Sequence, residues 1–345
     1  MNPSIRKSRS GASAPAVPNS CSSHERTTEN GTSIRAETGR RPLRRLIFGL
    51  LRWSGIPWLL RETAQRLSTT ILVYHDPSSE TMESHLHALR CRYNVISLAE
   101  YVANRSGKIH SPLPRKSLVI TLDDGYVGNY DLRGVFKRFE VRPTIFVCTG
   151  LIGTSRGFWF RHAPDAETLK RLPDDDRLVL LESSGFNVDA ELPNREALSN
   201  DEIGGLSSFA DIQSHTATHP ILPTCTDDRA ETEVRGSKLH LEESFGFKVY
   251  ALAYPNGDYS EREISLARAA GYQCALTVNG GSNTRRADLF RLKRIAIDDR
   301  DCVDALIVKA SGLWGWTRRF ARRPNYGYVP RPLFSTAQAR GSEKP

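Results

Sequence analysis

The sequence predicts an α/β fold in which parallel strands form a complete or distorted (β/α) barrel. From residue 69 onward, short apolar segments typical of strands alternate with segments of helical pattern, and at least six such units follow one another. The polar motifs described below each follow a predicted strand, and the functional residues of such barrels gather at the carboxyl ends of the strands. We therefore expect the main site at that end of the barrel.

The predicted elements begin with a buried strand, TTILVYH, at 69–75. Further strands are predicted at 93–97, 117–122, 142–149, 210–215, 249–255 and 272–278. Helices are predicted at 80–90, 98–105, 126–140, 227–246 and 260–271, with Ser260 and Gly246 as capping residues. His85 and His87 lie on the first of these helices and are predicted to be solvated. Residues 151–205 are less regular and predict an insertion.

The net charge of +9 is concentrated toward the two ends of the chain. Residues 1–45 carry nine Arg or Lys and three Glu, residues 315–345 carry seven and one, and the body between them is slightly acidic. Basic tails fit an anionic membrane surface, or simple solubility, as well as they fit nucleic acid. We therefore expect no nucleic-acid partner.

Residues 42–62, PLRRLIFGLLRWSGIPWLLRE, combine arginines with apolar and aromatic residues. The apolar part, 46–60, contains Arg52 and Pro57 and is shorter than the about 20 residues of a membrane span. Trp53 and Trp58 inside it are typical of a helix that lies in a membrane interface. The alternative is a helix that packs on the globular domain, and the sequence leaves both open.

These patterns divide the chain into segments. We predict a disordered tail at 1–42, an amphipathic helix that is a candidate for membrane association at 43–66, a catalytic domain at 69–312 with an insertion at 151–205, and a basic tail at 313–345. Residues 1–40 lack the order of a secretory signal peptide. The sequence leaves the compartment open, with the cytoplasm or the periphery of the inner membrane as the two candidates.

The stretch TLDDGY, 121–126, places two carboxylates directly after a predicted strand. Successive side chains of a strand point to opposite faces, so Asp123 and Asp124 are expected to have separate roles. In SHTATHP, 214–220, His215 and His219 stand four residues apart after another predicted strand, a spacing that lets two imidazoles bind one divalent ion. HxxxH also arises by chance, and a third ligand is needed. We predict that one aspartate completes the metal site while its neighbour acts as a general base.

At these residues the sequence resembles the polysaccharide deacetylase family, also called the NodB-homology domain or carbohydrate esterase family four. TLDDGY resembles its T-[FL]-D-D-G motif, SHTATHP resembles H-[ST]-x-x-H-P, and RPTIFVCTG followed by FWF resembles the stretch between them. The resemblance covers roughly residues 70–300 and implies a distorted (β/α) barrel that removes acetyl groups from an N-acetylated polysaccharide or glycan intermediate. It also implies Asp123 as the catalytic base, and Asp124, His215 and His219 as ligands of one divalent metal ion, usually zinc.

The sequence departs from the family at the third motif, often R-P-P-Y-G, whose arginine orients the base. The matching positions hold Ala253, Tyr254, Pro255, Asn256 and Gly257. We predict that Arg294, or else Arg291, takes over the role of the missing arginine. The family's late Leu-x-His motif, which supplies the general acid, is also absent, since no histidine follows His240.

VYHD, 73–76, offers a replacement for that acid. Family members that act on exported poly-N-acetylglucosamine are similar in carrying a "YH" near the start, as if circularly permuted. Because the first and last strands of a closed barrel are neighbours, we predict His75 as the general acid. The alternative is a structural histidine at a strand end.

Four residues near these motifs are predicted to bind the substrate: Tyr126, Tyr254, Pro255 and Asn256. Trp159 is a further candidate for a sugar-binding groove, whereas Phe158 and Phe160 are predicted to be core residues. Two alternatives to a deacetylase remain at this stage. One is a non-catalytic carbohydrate-binding or scaffold protein on the same fold, and the other is a protein whose main role is at a membrane surface.

Overall fold

The structure, a computed structural model, describes residues 40–315, with side chains from Leu43 onward. The tails predicted at 1–42 and 313–345 lie almost entirely outside the described residues. The boundaries predicted for the domain and its insertion remain predictions.

Eight parallel strands form the centre of the molecule, in the order β7-β6-β5-β4-β3-β1-β8, and β2 pairs beside β3. Their bounds are β1 Thr69–Tyr74, β2 Asn94–Val95, β3 Ser117–Leu122, β4 Thr144–Val147, β5 Asp211–Ser214, β6 Ala251–Ala253, β7 Cys274–Leu276 and β8 Ile295–Ala296. Every residue of β1 and β3 is buried, as expected for parallel strands covered on both faces.

The segment around β8 joins the two edges of the curled sheet. On one side the Leu292 N–H donates to the Ala275 carbonyl oxygen of β7 at 3.0 Å. On the other side the Ile297 N–H donates to the Val73 carbonyl oxygen of β1, also at 3.0 Å. The first and last strands are therefore neighbours, and the predicted distorted (β/α) barrel is confirmed.

Helices surround this sheet. Within residues 40–315 they are α1 Arg40–Trp53, α2 Ile56–Glu62, α3 Ser79–Arg90, α4 Leu98–Arg105, α5 Arg133–Phe139, α6 Trp159–His162, α7 Ala166–Leu169, α8 Asp174–Ser183, α9 Asn200–Leu206, α10 Asp227–Glu231, α11 Ser237–Phe245, α12 Glu261–Ala269 and α13 Val303–Ala310. A π-helical turn, Thr232–Gly236, joins α10 to α11, so the helix predicted at 227–246 is continuous.

The local sequence signals for helix ends are confirmed. Ser260 and Glu263 form a reciprocal capping box at the start of α12. Gly246 ends α11 in the left-handed conformation, with φ 66°. The helix predicted at 126–140 is only partly correct, because Val127–Leu132 is a 3₁₀ segment and the α-helix begins at Arg133.

The expectation that His85 is solvated is wrong. His85 is fully buried because α3 packs on the core with Met82, Leu86 and Leu89 on the same face. Its Nδ1 lies 3.2 Å from the Tyr74 hydroxyl, and its Nε2 donates to the Asp301 carbonyl oxygen at 2.8 Å. His87, one half-turn further on, is exposed as predicted.

Replacing His85 tests this buried pair of hydrogen bonds. His85→Ala should lower the free energy of unfolding by about 2–4 kcal/mol, because it leaves a cavity and removes the partner of a buried carbonyl. His87→Ala, on the exposed side of the same helix, should change it by no more than about 0.5 kcal/mol. Urea denaturation followed by circular dichroism measures both, and equal losses in the two variants would contradict the placement of His85.

His85 should also make the stability of the fold depend on pH. Burial lowers the pKa of His85 below its usual value of 6.5. Below pH 6.5 the unfolded chain therefore binds a proton that the folded protein still excludes, so His85 should make the fold less stable as the pH falls. Urea denaturation at pH 7.5 and pH 5.5 should show a smaller pH effect in His85→Ala than in the wild type. Identical pH effects would argue against a buried neutral imidazole.

Candidate active site

The chain turns sharply at the carboxyl end of β3, where Asp123 and Asp124 are both buried. Asp124 and Gly125 have φ angles of 72° and 75°, so two successive left-handed residues lead the chain out of the strand. A Cβ atom at Gly125 would lie 2.7 Å from Cγ1 of Val147 on β4. Only glycine fits this position, which explains why the two carboxylates are followed at once by a glycine.

Asp123 is held by Arg294 through two parallel hydrogen bonds. The guanidinium Nη1 and Nη2 donate to Oδ1 and Oδ2 of Asp123 at 2.6 and 2.7 Å, and Nε donates to the Thr277 carbonyl oxygen at 2.9 Å. Burial opposes ionisation of Asp123, but Arg294 and His215 outweigh it and lower its pKa. Asp123 is therefore a carboxylate at neutral pH.

Arg294, which is predicted to take over the role of the missing motif arginine, therefore contacts Asp123 directly. It is fully buried, and it comes from the segment that closes the barrel. Arg291, the other candidate, is exposed and pairs with Glu261 at the surface. The orienting role of Arg294 remains a prediction, with a geometry that suits it.

Asp124 faces the two histidines of the second motif. Its Oδ1 lies 3.4 Å from Nε2 of His215 and 3.5 Å from Nε2 of His219, and all three residues are buried. The Nδ1–H of His215 donates to the Ala253 carbonyl oxygen on β6 at 2.8 Å. Because a carbonyl only accepts, this bond places a proton on Nδ1, so in the neutral ring the lone pair that a metal ion can bind is on Nε2, the nitrogen nearest Asp124.

These three residues fit a divalent metal ion. The buried Oδ1 of Asp124 has no hydrogen-bond partner among the described residues. Two donors at about 2.1 Å from a tetrahedrally coordinated ion are about 3.4 Å apart, which matches the observed separations. Burial lowers the pKa of His219 to about 3, so its ring is neutral. For His215, burial is outweighed by Asp123 and Asp124, which raise the pKa of its ring above the usual value. The hydrogen bond from His215 in turn outweighs burial and keeps the pKa of Asp124 well below its usual range. A carboxylate and two imidazoles are a zinc-type ligand set.

Glu233 supports the loop that carries the histidines, and the sequence analysis missed it. Its Oε2 accepts hydrogen bonds from the backbone N–H groups of Ala217 and Thr218 at 2.7 and 2.9 Å. Glu233 lies in the π-helical turn, almost fully buried. It shares a buried stripe with the residues Ala230, Val234 and Ser237. A glutamate among these otherwise uncharged residues on one helix face was the sequence signal that could have indicated a buried structural role for Glu233.

Aromatic residues of the predicted insertion pack against the same loop. The indole Nε1 of Trp159 donates to the His219 carbonyl oxygen at 2.9 Å, and the rings of Phe160 and His219 are 4.6 Å apart. Trp159 is buried and so holds the loop rather than facing solvent. Tyr126 is also buried, packs on Phe158 at 4.8 Å, and has its pKa raised by burial and by Asp124.

His75 lies at the rim of this site. It is exposed at the carboxyl end of β1, and its backbone N–H donates to Asp299 at 3.1 Å. His75 is among the groups whose electrostatic influence lowers the pKa values of Asp123 and Asp124, so it lies on the same side of the barrel as the two carboxylates. A cleft of about 740 Å³ opens beside His75 and is also lined by Asp299 and Arg300.

Only part of the third motif, residues 253–257, is exposed near the site. Tyr254 is fully buried, donates to the Phe290 carbonyl oxygen at 3.2 Å and stacks on Tyr259, so its ring does not reach the rim. Pro255 is buried as well. Asn256 is exposed with φ 56°, and it alone of the three predicted substrate contacts in this motif presents a side chain to solvent.

Comparison with known proteins finds similarity to deacetylases. Residues 110–275 match the family model described as "Polysaccharide deacetylase". The curated protein named "Putative polysaccharide deacetylase YxkH", from Bacillus subtilis (strain 168), is 26% identical over 250 residues, which is 70% of this chain and 74% of that protein.

Two solved structures share the fold. The deacetylase PplD of Streptococcus pyogenes, in complex with acetate, has a TM-score of 0.54 at 19% identity and covers 71% of this chain and 99% of its own. IcaB from Ammonifex degensii has a TM-score of 0.54 at 18% identity, and the match covers 72% of this chain and 98% of IcaB.

The predicted resemblance to polysaccharide deacetylases is confirmed over residues 110–275, and the similarity supports a hydrolase that acts on carbon–nitrogen bonds other than peptide bonds. The circular permutation suggested by the early VYHD motif stays a prediction.

Removing a proposed ligand tests the metal site directly. Loss of an outer-shell partner typically weakens metal binding by about 10–100-fold. Asp124→Asn and His219→Ala each remove a proposed ligand, so each should weaken Zn²⁺ binding by more than this. Isothermal titration of chelator-treated protein measures the affinity. His240→Ala removes an exposed histidine instead and serves as the matched control, which should bind Zn²⁺ like the wild type. Unchanged affinity in His219→Ala would exclude the site.

Proposed function

We propose that this protein is a metal-dependent deacetylase that hydrolyses the acetamide of an N-acetylated sugar in a polysaccharide or glycan intermediate. The observation that carries the proposal is the pair of adjacent carboxylates with separate partners. Asp123 is held by Arg294, while Asp124 lies between two imidazoles. The carbon–nitrogen hydrolase class favours an N-acetyl over an O-acetyl substrate.

In this proposal Asp124, His215 and His219 hold one divalent ion, with zinc the expected metal. When bound, such an ion supplies Lewis-acid chemistry toward an acetyl carbonyl. The fold prepares the site for it, because Ala253 sets the tautomer of His215 and Glu233 holds the loop before His219.

Asp123 is the proposed general base. A carboxylate has about four lone-pair positions, and Arg294 occupies one on each oxygen, so Asp123 can still accept a proton. The same two bonds fix the plane of the carboxylate. Arg294 also lowers the pKa of Asp123, which keeps it ionised but weakens it as a base, so orientation is the main benefit of the pair.

His75 is the proposed general acid that protonates the leaving amine. Its backbone is anchored on both sides, by Asp299 and by the side chain of Asn129. Its ring makes no hydrogen bond with any residue in 40–315, and it faces the cleft. A proton donor at the rim suits the position of a departing sugar amine, while the base lies deeper.

The domain proposed for this activity spans 69–312, and the insertion 151–205 contributes Trp159 and Phe160 to the wall of the site. Tyr126 and Asn256 are proposed to border the substrate. The glycan is the proposed partner of this surface.

Acetate release from N-acetylglucosamine oligomers by zinc-loaded protein tests the proposal. Asp123→Asn and His75→Ala should each lower kcat/KM by about 10²–10⁴-fold, the usual contribution of a general base or acid. His240→Ala should retain wild-type rates.

The outcomes separate the parts of the proposal. Loss in Asp123→Asn but not in His75→Ala keeps the deacetylase and discards His75 as the acid. Absence of acetate release by the wild type, with bound zinc confirmed, would overturn the proposed substrate and favour a non-catalytic carbohydrate-binding or scaffold role.

A further inference from the structure

Helices α1 and α2 present a continuous set of large apolar side chains to solvent. We call this set the outer face; its members are Leu43, Leu46, Ile47, Leu50, Trp53, Ile56, Trp58 and Leu59. The five members on α1 follow the spacing i, i+3, i+4, i+7 and i+10, which is one side of a helix. Trp53 is 79% exposed and Leu50 is 66% exposed. Clusters of this kind mark interaction surfaces rather than ordinary protein surface.

The opposite side of α1 is fixed to the domain. Phe48 is buried in a small cluster with Ala305 and Val308 of α13. Arg44 pairs with Asp301, and Arg52 pairs with Asp304. The sequence left open whether this segment packs on the domain or faces a membrane. The structure shows that one side packs on the domain, whereas the members of the outer face remain exposed.

The charge of the segment indicates what the outer face meets. Residues 40–66 contain seven arginines and one glutamate, and α1 contains no acidic residue. Arg45 is exposed and forms no ion pair with residues of the described chain. Arginines beside leucines, with tryptophans at the junction of the two helices, are the composition of helices that lie in the interface of an anionic bilayer.

We propose that the outer face of α1 and α2 is a docking surface for anionic lipid bilayers. Because Phe48 holds one side of α1 on the domain, only the outer face can meet lipid, and the helix then lies flat along the surface. At 1.5 Å per residue, α1 offers about 21 Å of such contact.

No helix within residues 40–315 is long and apolar enough to cross a bilayer.

Docking would also orient the active site. The cleft beside His75 is lined by Arg44 of α1, so the helix that meets lipid borders the cleft next to the proposed general acid. The docking proposal does not depend on the deacetylase activity. It predicts that a membrane-bound enzyme acts on glycans held near the bilayer.

Flotation of the full chain with vesicles tests the proposal. The protein should float with vesicles of 70% phosphatidylcholine and 30% phosphatidylglycerol, and at least about tenfold more weakly with phosphatidylcholine alone. The double variant L46Q/L50Q should lower affinity for the anionic vesicles at least about tenfold, since two leucines lose their burial in lipid. V179Q/L180Q replaces two exposed apolar residues of α8 and is the matched control, with binding unchanged.

Acetate release from soluble oligomers should be the same in all three proteins, which separates docking from catalysis. Flotation of L46Q/L50Q equal to that of the wild type would overturn the proposal, and would assign any binding to the basic ends of the chain. Light scattering tests whether a second copy of the chain covers the outer face instead of lipid. A wild-type dimer that dissociates in L46Q/L50Q, without vesicle binding, would show that a second copy covers the outer face and would also overturn it.

Discussion

The site depends on one constraint, which is that two adjacent carboxylates are buried at the end of a strand. An unpaired buried carboxylate is costly enough to take up a proton, and two of them side by side repel each other as well. The pleat of β3 and the left-handed turn at Asp124 direct the side chains to different partners. Asp123 meets a guanidinium and Asp124 meets two imidazoles, so each carboxylate remains ionised in its own environment. In the proposed mechanism, this separation of partners allows Asp123 to act as a base while Asp124 holds a metal.

The segment that closes the barrel also brings Arg294 to Asp123, the proposed base. Arg294 lies 171 residues from Asp123 in the chain and reaches it only because the segment around β8 hydrogen-bonds to both β7 and β1. The buried guanidinium then bonds the Thr277 carbonyl oxygen on one side and Asp123 on the other. A buried ion pair of this kind is weak evidence for stability, since desolvation offsets most of the attraction. Its value here lies in geometry, because the two parallel bonds leave the carboxylate one orientation.

Features that depend on residues close together in the chain could be predicted from the sequence, and those that depend on distant residues mostly could not. The DDG turn, the HxxxH pair and the capping box at Ser260 depend on neighbours within a few residues, so their patterns are visible in the chain. Arg294 was identified indirectly, because a missing motif arginine left a carboxylate in need of a partner. His85 and Glu233 were misjudged or missed because both are polar residues on helix faces that contact the core, where hydrogen bonds to distant backbone groups decide their burial. Tyr254 shows the converse, since a residue beside the site in sequence turns into the core.

Helix α1 also has some side chains with partners in the domain and others that are exposed at the surface. Its sequence is apolar on two sides, and packing of Phe48 on α13 explains only one of them. Two of its arginines are already engaged by Asp301 and Asp304, so much of the segment's charge is neutralised within the protein. Apolar burial of the leucines and tryptophans must therefore supply most of any affinity for a bilayer, while the remaining arginines select an anionic one. A surface built this way holds the domain in one orientation, because the ion pairs and Phe48 fix the helix before it meets the lipid.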